Sequence, residues 1–110
     1  MALGDSLENV AKNVDIYSYR HPLGVCGGIC PYNFPAMIPL WMFPIAMTLG
    51  NTFVIKPSEK VPGSNEVLLD LLHQSGVPDG VVNMVHGGAD LVNNMLKHPD
   101  IKTISFVGSN

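Results

Sequence analysis

The sequence predicts an α/β fold in which parallel strands form one sheet and helices cover its faces. Three observations carry this reading. Four short apolar runs, at 24–29, 52–55, 81–85 and 104–107, have the length of strands. The segments between them are long enough for a helix, and crossovers of that length join parallel neighbours. Each run also ends in a polar or glycine turn. In open sheets of this kind small molecules bind beyond the carboxyl ends of the strands.

Composition bounds the rest. A chain of 110 residues fits one domain. Apolar residues make up 46%, an ordinary share, but charged residues are only 14% against a typical figure of about 25%. A small domain has proportionally more surface to solvate than a large one. So little charge leaves apolar surface uncovered, and this predicts a piece of a larger protein rather than an obligate oligomer. The net charge of −3 and the absence of any basic run argue against nucleic acid. The amino end shows no positive region followed by an apolar core, so no signal peptide is visible. Residues 34–49 are apolar but contain Pro35, Pro39 and Pro44. They also fall short of the roughly 20 residues that a membrane span needs, so a buried helix is expected there and no membrane partner.

Residues 1–14 are weakly patterned and are expected to form an exposed lead-in with one helical turn. Residues 15–20 alternate and could form an edge strand, which His21-Pro22 breaks. The chain thus divides into 1–22, a lead-in with a possible edge strand, and 23–110, the α/β unit. In the first strand of that unit Gly27 and Gly28 weaken the pattern unless something approaches closely there. The helix after it begins near Pro35, where a first turn tolerates proline. Pro39 and Pro44 each remove a hydrogen bond at a cost of about 3 kcal/mol, so a kink or break is expected near Pro44. Gly50 with Asn51 caps its end.

Ser64 is placed to cap a helix over 66–74 with Val67, Leu68, Leu71 and Leu72 on one face. Gly76 and Pro78 stop it. A third helix over 89–97 carries Leu91, Val92, Met95 and Leu96. The last strand ends at a Gly-Ser turn that ought to open a further helix, so the sheet is expected to be incomplete.

Cys26 and Cys30 share one face of a strand but lie about 13 Å apart, whereas a disulfide needs Cα atoms within about 7 Å. His21, His73, His86 and His98 show no zinc-ligand spacing with either cysteine, so no metal is expected. Reduced thiols are the simpler reading.

The residues just past the strands are the candidate site: Cys30, Pro31, Tyr32 and Asn33; Lys56, Ser58, Glu59 and Lys60; His86, Gly87 and Gly88; Gly108 and Ser109. They offer an amide, two cations, a carboxylate, and small turns whose N–H groups can approach a phosphate. A carboxylate after a strand can hold ribose hydroxyls, so a nucleotide is the physical expectation. Each residue has a plainer alternative. Lys56 and Glu59 could be a solvated ion pair, and Asn33 a turn former or helix cap. Cys30, without an activating histidine, reads better as inert packing than as a nucleophile. His86 reads as structural or solvated. Neither G-x-G-x-x-G nor G-x-x-x-x-G-K-[ST] occurs.

The stretches ICPYNFPAMIPLWMFPIAMTLGNTFVIKPSE, GVPDGVVNMVHG and ISFVGSN resemble the aldehyde dehydrogenase superfamily, most of all its CoA-acylating branch. The resemblance implies an incomplete, Rossmann-like NAD-binding domain. It implies an oxidation in which a cysteine forms a thiohemiacetal with the aldehyde, a hydride passes to NAD, and the acyl group moves to CoA. For that branch, methylmalonate or malonate semialdehyde would become propionyl-CoA or acetyl-CoA after loss of CO2. By the same resemblance Asn33 matches the asparagine whose amide helps form the oxyanion hole. Lys56 and Glu59 match the pair holding the adenosine ribose. Cys30, through its backbone, and Tyr32 match cofactor contacts at the first strand tip. Lys60 matches a basic position beside the ribose, and Ser109 the serine near the pyrophosphate.

The family's nucleophilic cysteine lies downstream of the matched motifs, and neither Cys26 nor Cys30 matches it. A homo-oligomer is implied for the full-length enzyme, in the mitochondrial matrix of a eukaryote or otherwise in the cytoplasm. Two other readings stand beside this one: a non-catalytic module that binds nucleotide or a partner chain, and a free-standing hydrolase or transferase using Cys30.

Overall fold

The computed structural model describes residues 3–109; the extreme ends of the two predicted segments lie outside them. Nine elements follow in order: β1 (Ser6–Ala11), β2 (Val14–Tyr17), β3 (Val25–Ile29), α1 (Met37–Thr48), β4 (Thr52–Lys56), α2 (Gly63–Gln74), β5 (Val82–Met84), α3 (Ala89–Lys97) and β6 (Ile101–Phe106). The last four strands form a wholly parallel sheet in the order β5-β4-β3-β6. The chain steps outward from β3 to β5, then crosses back to lay β6 on the other side of β3. That reversal makes the β3/β6 boundary the switch point of the sheet.

The two faces are covered unequally. Met42, Phe43, Ala46 and Met47 of α1 and Leu69 and Leu72 of α2 pack with Cys26, Cys30, Phe53 and Ile55 into the main core. The opposite face carries the nine-residue α3, whose one buried side chain is Met95. Beside it an apolar cleft of about 400 Å³ stays open, with Val25, Val54, Val85 and Leu91 in its walls. Two consecutive right-handed crossovers put α1 and α2 on one face, and the reversal puts α3 on the other.

The glycines of β3 are explained by this layering. A Cβ on Gly28 would stand 2.6 Å from the Phe53 ring, and one on Gly27 would stand 3.2 Å from Ile104. At the opposite end of β3, the Asn51 side chain accepts from the N–H groups of Leu23 (2.7 Å) and Gly24 (3.1 Å) and donates to the Ala46 carbonyl (3.1 Å). Gly50, at φ +83, turns the chain out of α1. The Gly-Asn pair thus ties the end of the helix to the start of two strands.

Four expectations are corrected. Among its described residues the lead-in holds no helical turn: β1 and β2 form an antiparallel hairpin of their own, separate from the main sheet. Asn13 at φ 61 makes the turn and Asn9 at φ 54 accompanies the register shift, a conformation that asparagine tolerates better than most residues. The hairpin is exposed throughout. It helps to give a radius of gyration of 17.3 Å, where a compact chain of this length would have about 13 Å.

Of the kink or break expected near Pro44, the break is absent: Pro44 lies inside α1. One missing donor is tolerated there because Leu40, whose carbonyl loses it, is on the exposed side of the helix. Pro39 falls in the first turn, where its missing N–H leaves the Pro35 carbonyl to another donor, Asn65 Nδ2. Ser64 does not cap α2, which starts at Gly63 without a side-chain cap. Its hydroxyl is buried with no partner among the described residues. Finally, Val67 and Leu71 are exposed, and the inward face of α2 is Asn65, Leu68, Leu69 and Leu72.

Candidate functional site

At the switch point, the tips of β3, β4 and β6 enclose a cleft of about 500 Å³ lined by Cys30, Tyr32, Asn33, Glu59, Lys60 and Ser109, among others. That volume lies within the roughly 300–1,000 Å³ of small-molecule sites. Six of the seven residues given roles by the resemblance therefore line one cavity. The seventh, Lys56, reaches it through Glu59. The His86 tip does not join them, because β5 is the far edge strand. His86 is exposed, its Nε2 3.8 Å from Glu66 Oε1.

Lys56 ends β4 and is 4% exposed, and its ammonium donates to Glu59 Oε2 at 3.0 Å. This is not the solvated pair that the sequence left open: the cation is enclosed and only the carboxylate faces solvent. The Glu59 carboxyl is held below its ordinary range, first by its own backbone N–H and then by the Lys56 ammonium. The turn between them is enclosed and hydrogen-bonded. Pro57 and Ser58 are buried, and the Ser58 hydroxyl accepts from the N–H of Lys60 at 3.3 Å. Lys60 then crosses the cleft to lie 4.8 Å from the centre of the Tyr32 ring, a cation–π contact joining the β3 and β4 tips.

Asn33 is exposed on the loop between β3 and α1. It is not the cap of that helix: the cap position is Ala36, with no side-chain bond. Its amide has no hydrogen-bond partner among the described residues, which leaves a donor facing the cleft. Cys30 behaves differently. Its N–H donates to the Lys56 carbonyl at 3.0 Å, locking the two tips together. Its thiol is 4% exposed and lies 3.9 Å from Met42 Sδ. Burial pushes that thiol up to about 11, only partly offset by Lys56. Such a group is neither ionised nor reachable, so the nucleophile reading of Cys30 fails on physical grounds. Both cysteines are free.

A pyridine dinucleotide fits what lines this cleft. An exposed carboxylate suits ribose hydroxyls, an aromatic face and a cation stand opposite, and Gly108 and Ser109 bring small turn residues to the switch point.

The family model described as the aldehyde dehydrogenase family matches residues 2–110. The chain belongs to the aldehyde dehydrogenase family. This aldehyde dehydrogenase segment is 61% identical to the mitochondrial methylmalonate-semialdehyde/malonate-semialdehyde dehydrogenase [acylating] of Mus musculus, covering 100% of this chain and 21% of that one. It is 59% identical to the Homo sapiens enzyme of the same name, again over 21% of that protein's length. Among solved structures, the methylmalonate-semialdehyde dehydrogenase of Oceanimonas doudoroffii superposes with a TM-score of 0.94 at 46% identity, covering 98% of this chain and 22% of that one. A Sinorhizobium meliloti protein assigned the same name, solved with NAD, gives 0.93 at 44% identity over the same shares. The chain thus spans about a fifth of the length of its relatives.

One buried residue bonded to the loop that carries Asn33 was not legible in the sequence. Asn65 is 1% exposed and donates from Nδ2 to the Pro35 carbonyl at 3.0 Å. Its only signal was an amide in the first turn of a helix, where a polar residue needs no special reason.

Proposed function

We propose that this chain is the part of an NAD-dependent, CoA-acylating aldehyde dehydrogenase that holds the adenosine side of the cofactor and supplies one oxyanion donor. Methylmalonate or malonate semialdehyde is the substrate, and propionyl-CoA or acetyl-CoA the product once the substrate's carboxylate has left as CO2. Residues 23–110 are part of the NAD-binding domain, and residues 1–22 an arm outside it. The observation that carries this reading is the gathering of the Asn33 amide, the Glu59 carboxylate, Tyr32, Lys60 and Ser109 on one cleft at the β3/β6 switch point.

Each residue has a task that its setting supports. Glu59, kept ionised by its N–H and Lys56, accepts from the adenosine ribose hydroxyls. Lys56 holds that carboxylate in place and donates to the same ribose. Tyr32 and Lys60 wall the ribose pocket, the Cys30 backbone borders it, and Ser109 donates toward the pyrophosphate. Asn33, with no competing partner, donates to the substrate oxygen as negative charge develops on it. NAD, when bound, supplies the hydride acceptor. CoA is the acyl acceptor, and the nucleophilic cysteine belongs to another part of the full-length protein.

The exposed apolar residues of the hairpin, Leu7, Val10, Val14 and Ile16, support a homo-oligomeric full-length enzyme. The names of the eukaryotic relatives support a mitochondrial setting for a eukaryotic source, the matrix by family resemblance.

The test is Asn33→Ala in a full-length enzyme carrying these residues, made by splicing them into the Mus musculus relative. We expect kcat to fall by about 10²–10³, the usual loss for one oxyanion donor, with the KM for NAD little changed. A change confined to the KM for NAD overturns the assignment.

A further inference from the structure

Pro39 creates a local deficit that Asn65 fills. In an α-helix the N–H of residue 39 would bond to the carbonyl of the residue four before it, Pro35. Proline has no N–H to give. The start of α1 shows the gap: Ile38 donates to the Phe34 carbonyl and Leu40 to the Ala36 carbonyl, at 3.3 and 3.4 Å, and the Pro35 carbonyl between them is skipped. A carbonyl left this way needs another donor. Water has poor access, since Pro39 and Asn65 are both among the fully buried side chains. The Asn65 amide supplies the bond at 3.0 Å. Its Oδ1 finds no partner among the described residues, so the contact with Pro35 is what the buried amide is held by.

We infer that Asn65 is a positioning residue for Asn33, replacing the helical donor that Pro39 lacks and so fixing the loop that aims the Asn33 amide into the cleft. Pro35 is two residues past Asn33, and Asn65 sits on the helix that follows the Glu59 turn. This hydrogen bond therefore ties the loop that carries the oxyanion donor to the helix behind the ribose carboxylate, beyond where the Cys30–Lys56 backbone bond joins the strand ends. This inference rests on the reading of Asn33 given above.

Asn65→Leu keeps the number and branching of the side-chain heavy atoms and removes the donor. In the spliced full-length enzyme we expect kcat to fall by about 10-fold to 100-fold, as for a displacement of roughly 1 Å at a reacting centre. The KM for NAD should stay within about twofold. In an Asn33→Ala background the same substitution should cost nothing further, because the group it aims is gone. An equal loss of kcat in both backgrounds, or none in either, overturns the inference. Should Asn33→Ala itself leave kcat unchanged, the oxyanion assignment falls and this inference with it. If that assignment holds and Asn65→Leu is silent, only the positioning role is lost.

Asn65→Asp gives a second readout if the leucine variant does not fold. A protonated carboxyl at position 65 can donate to Pro35 and a carboxylate cannot, so kcat relative to the parent should fall as pH rises through the value of the buried acid. A ratio that stays flat with pH overturns the role.

Discussion

Lys56 Nζ stands 3.0 Å from Glu59 Oε2, with the lysine side chain 5% exposed and the glutamate 60% exposed. The pair is therefore asymmetric: one member depends on the other for solvation and the other does not. Removing the carboxylate strands an enclosed ammonium, which is costly. Removing the ammonium leaves a hydrated carboxylate.

This gives the third prediction, after those for Asn33 and Asn65. Lys56→Met should weaken NAD binding by more than about 10-fold, the equivalent of one charged contact of about 1.4 kcal/mol, with little loss of thermal stability. Glu59→Gln should weaken binding and lower Tm as well. The pH behaviour follows from the depressed carboxyl. Its contribution is complete above the ordinary value of 4.5 and is lost only as pH falls through the lower folded value. NAD affinity should therefore stay level from pH 8 to 5 as far as Glu59 is concerned. In Lys56→Met the Glu59 midpoint should rise, though not fully, because its own N–H is the larger cause. Fluorescence titration of the cofactor and carboxyl NMR check these points. Unchanged NAD affinity in Lys56→Met would remove the ribose assignment.

Cys30 gives the fourth. Its thiol has an ordinary value of 9.0 and is raised to about 11 by burial. A raised acid keeps its proton in the folded state while the unfolded chain begins to lose it. The related stability is thus complete below pH 9 and disappears as pH climbs toward 11. Two outcomes are expected. Native protein at pH 7.5 should resist alkylation at Cys30 over a time in which the denatured protein is fully modified. Tm should decline between pH 9 and 11, less steeply in Cys30→Ala. Rapid stoichiometric labelling of the native thiol would revive the nucleophile reading.

Much of the site was readable because strand ends announce themselves. The runs ending at Cys30 and Lys56 alternate with helix-length segments, so the parallel order and the shared edge follow from connectivity. The exclusion of the His86 tip did not, since strand order within a sheet is settled by which neighbours pack, not by local pattern. The hairpin was missed because Ser6–Ala11 has exposed positions on both sides, and alternation is visible only when one face is buried. Asn65 was illegible for a similar reason. Its partner is a carbonyl thirty residues away, and the need for it arises from an absent N–H on a third residue. The Glu59 turn was seen, but the burial of Lys56 was not, because a lysine at a strand end is usually free to reach water.

The last prediction concerns what holds the β3 tip in place. Gly28 lies where the Phe53 ring of β4 and the Met42 sulfur of α1 close over β3, and a Cβ there would stand 2.6 Å from two ring carbons and 3.1 Å from the sulfur. Phe53 is 2% exposed, so its ring has no room to swing aside. Gly28→Ala should destabilise the protein by about 1–3 kcal/mol through overpacking, seen as a lowered Tm of the spliced full-length enzyme. Gly27→Ala should cost less, since its nearest neighbours at 3.2–3.4 Å are the ends of Ile104, Ile101 and Met95, on the thinly covered face of the sheet. Because one ring causes the clash, the effects must couple. Phe53→Leu alone should be harmful through lost volume, yet in the Gly28→Ala background it should recover part of the lost Tm. Additive losses would show that the glycine serves backbone freedom and not the close approach of Phe53.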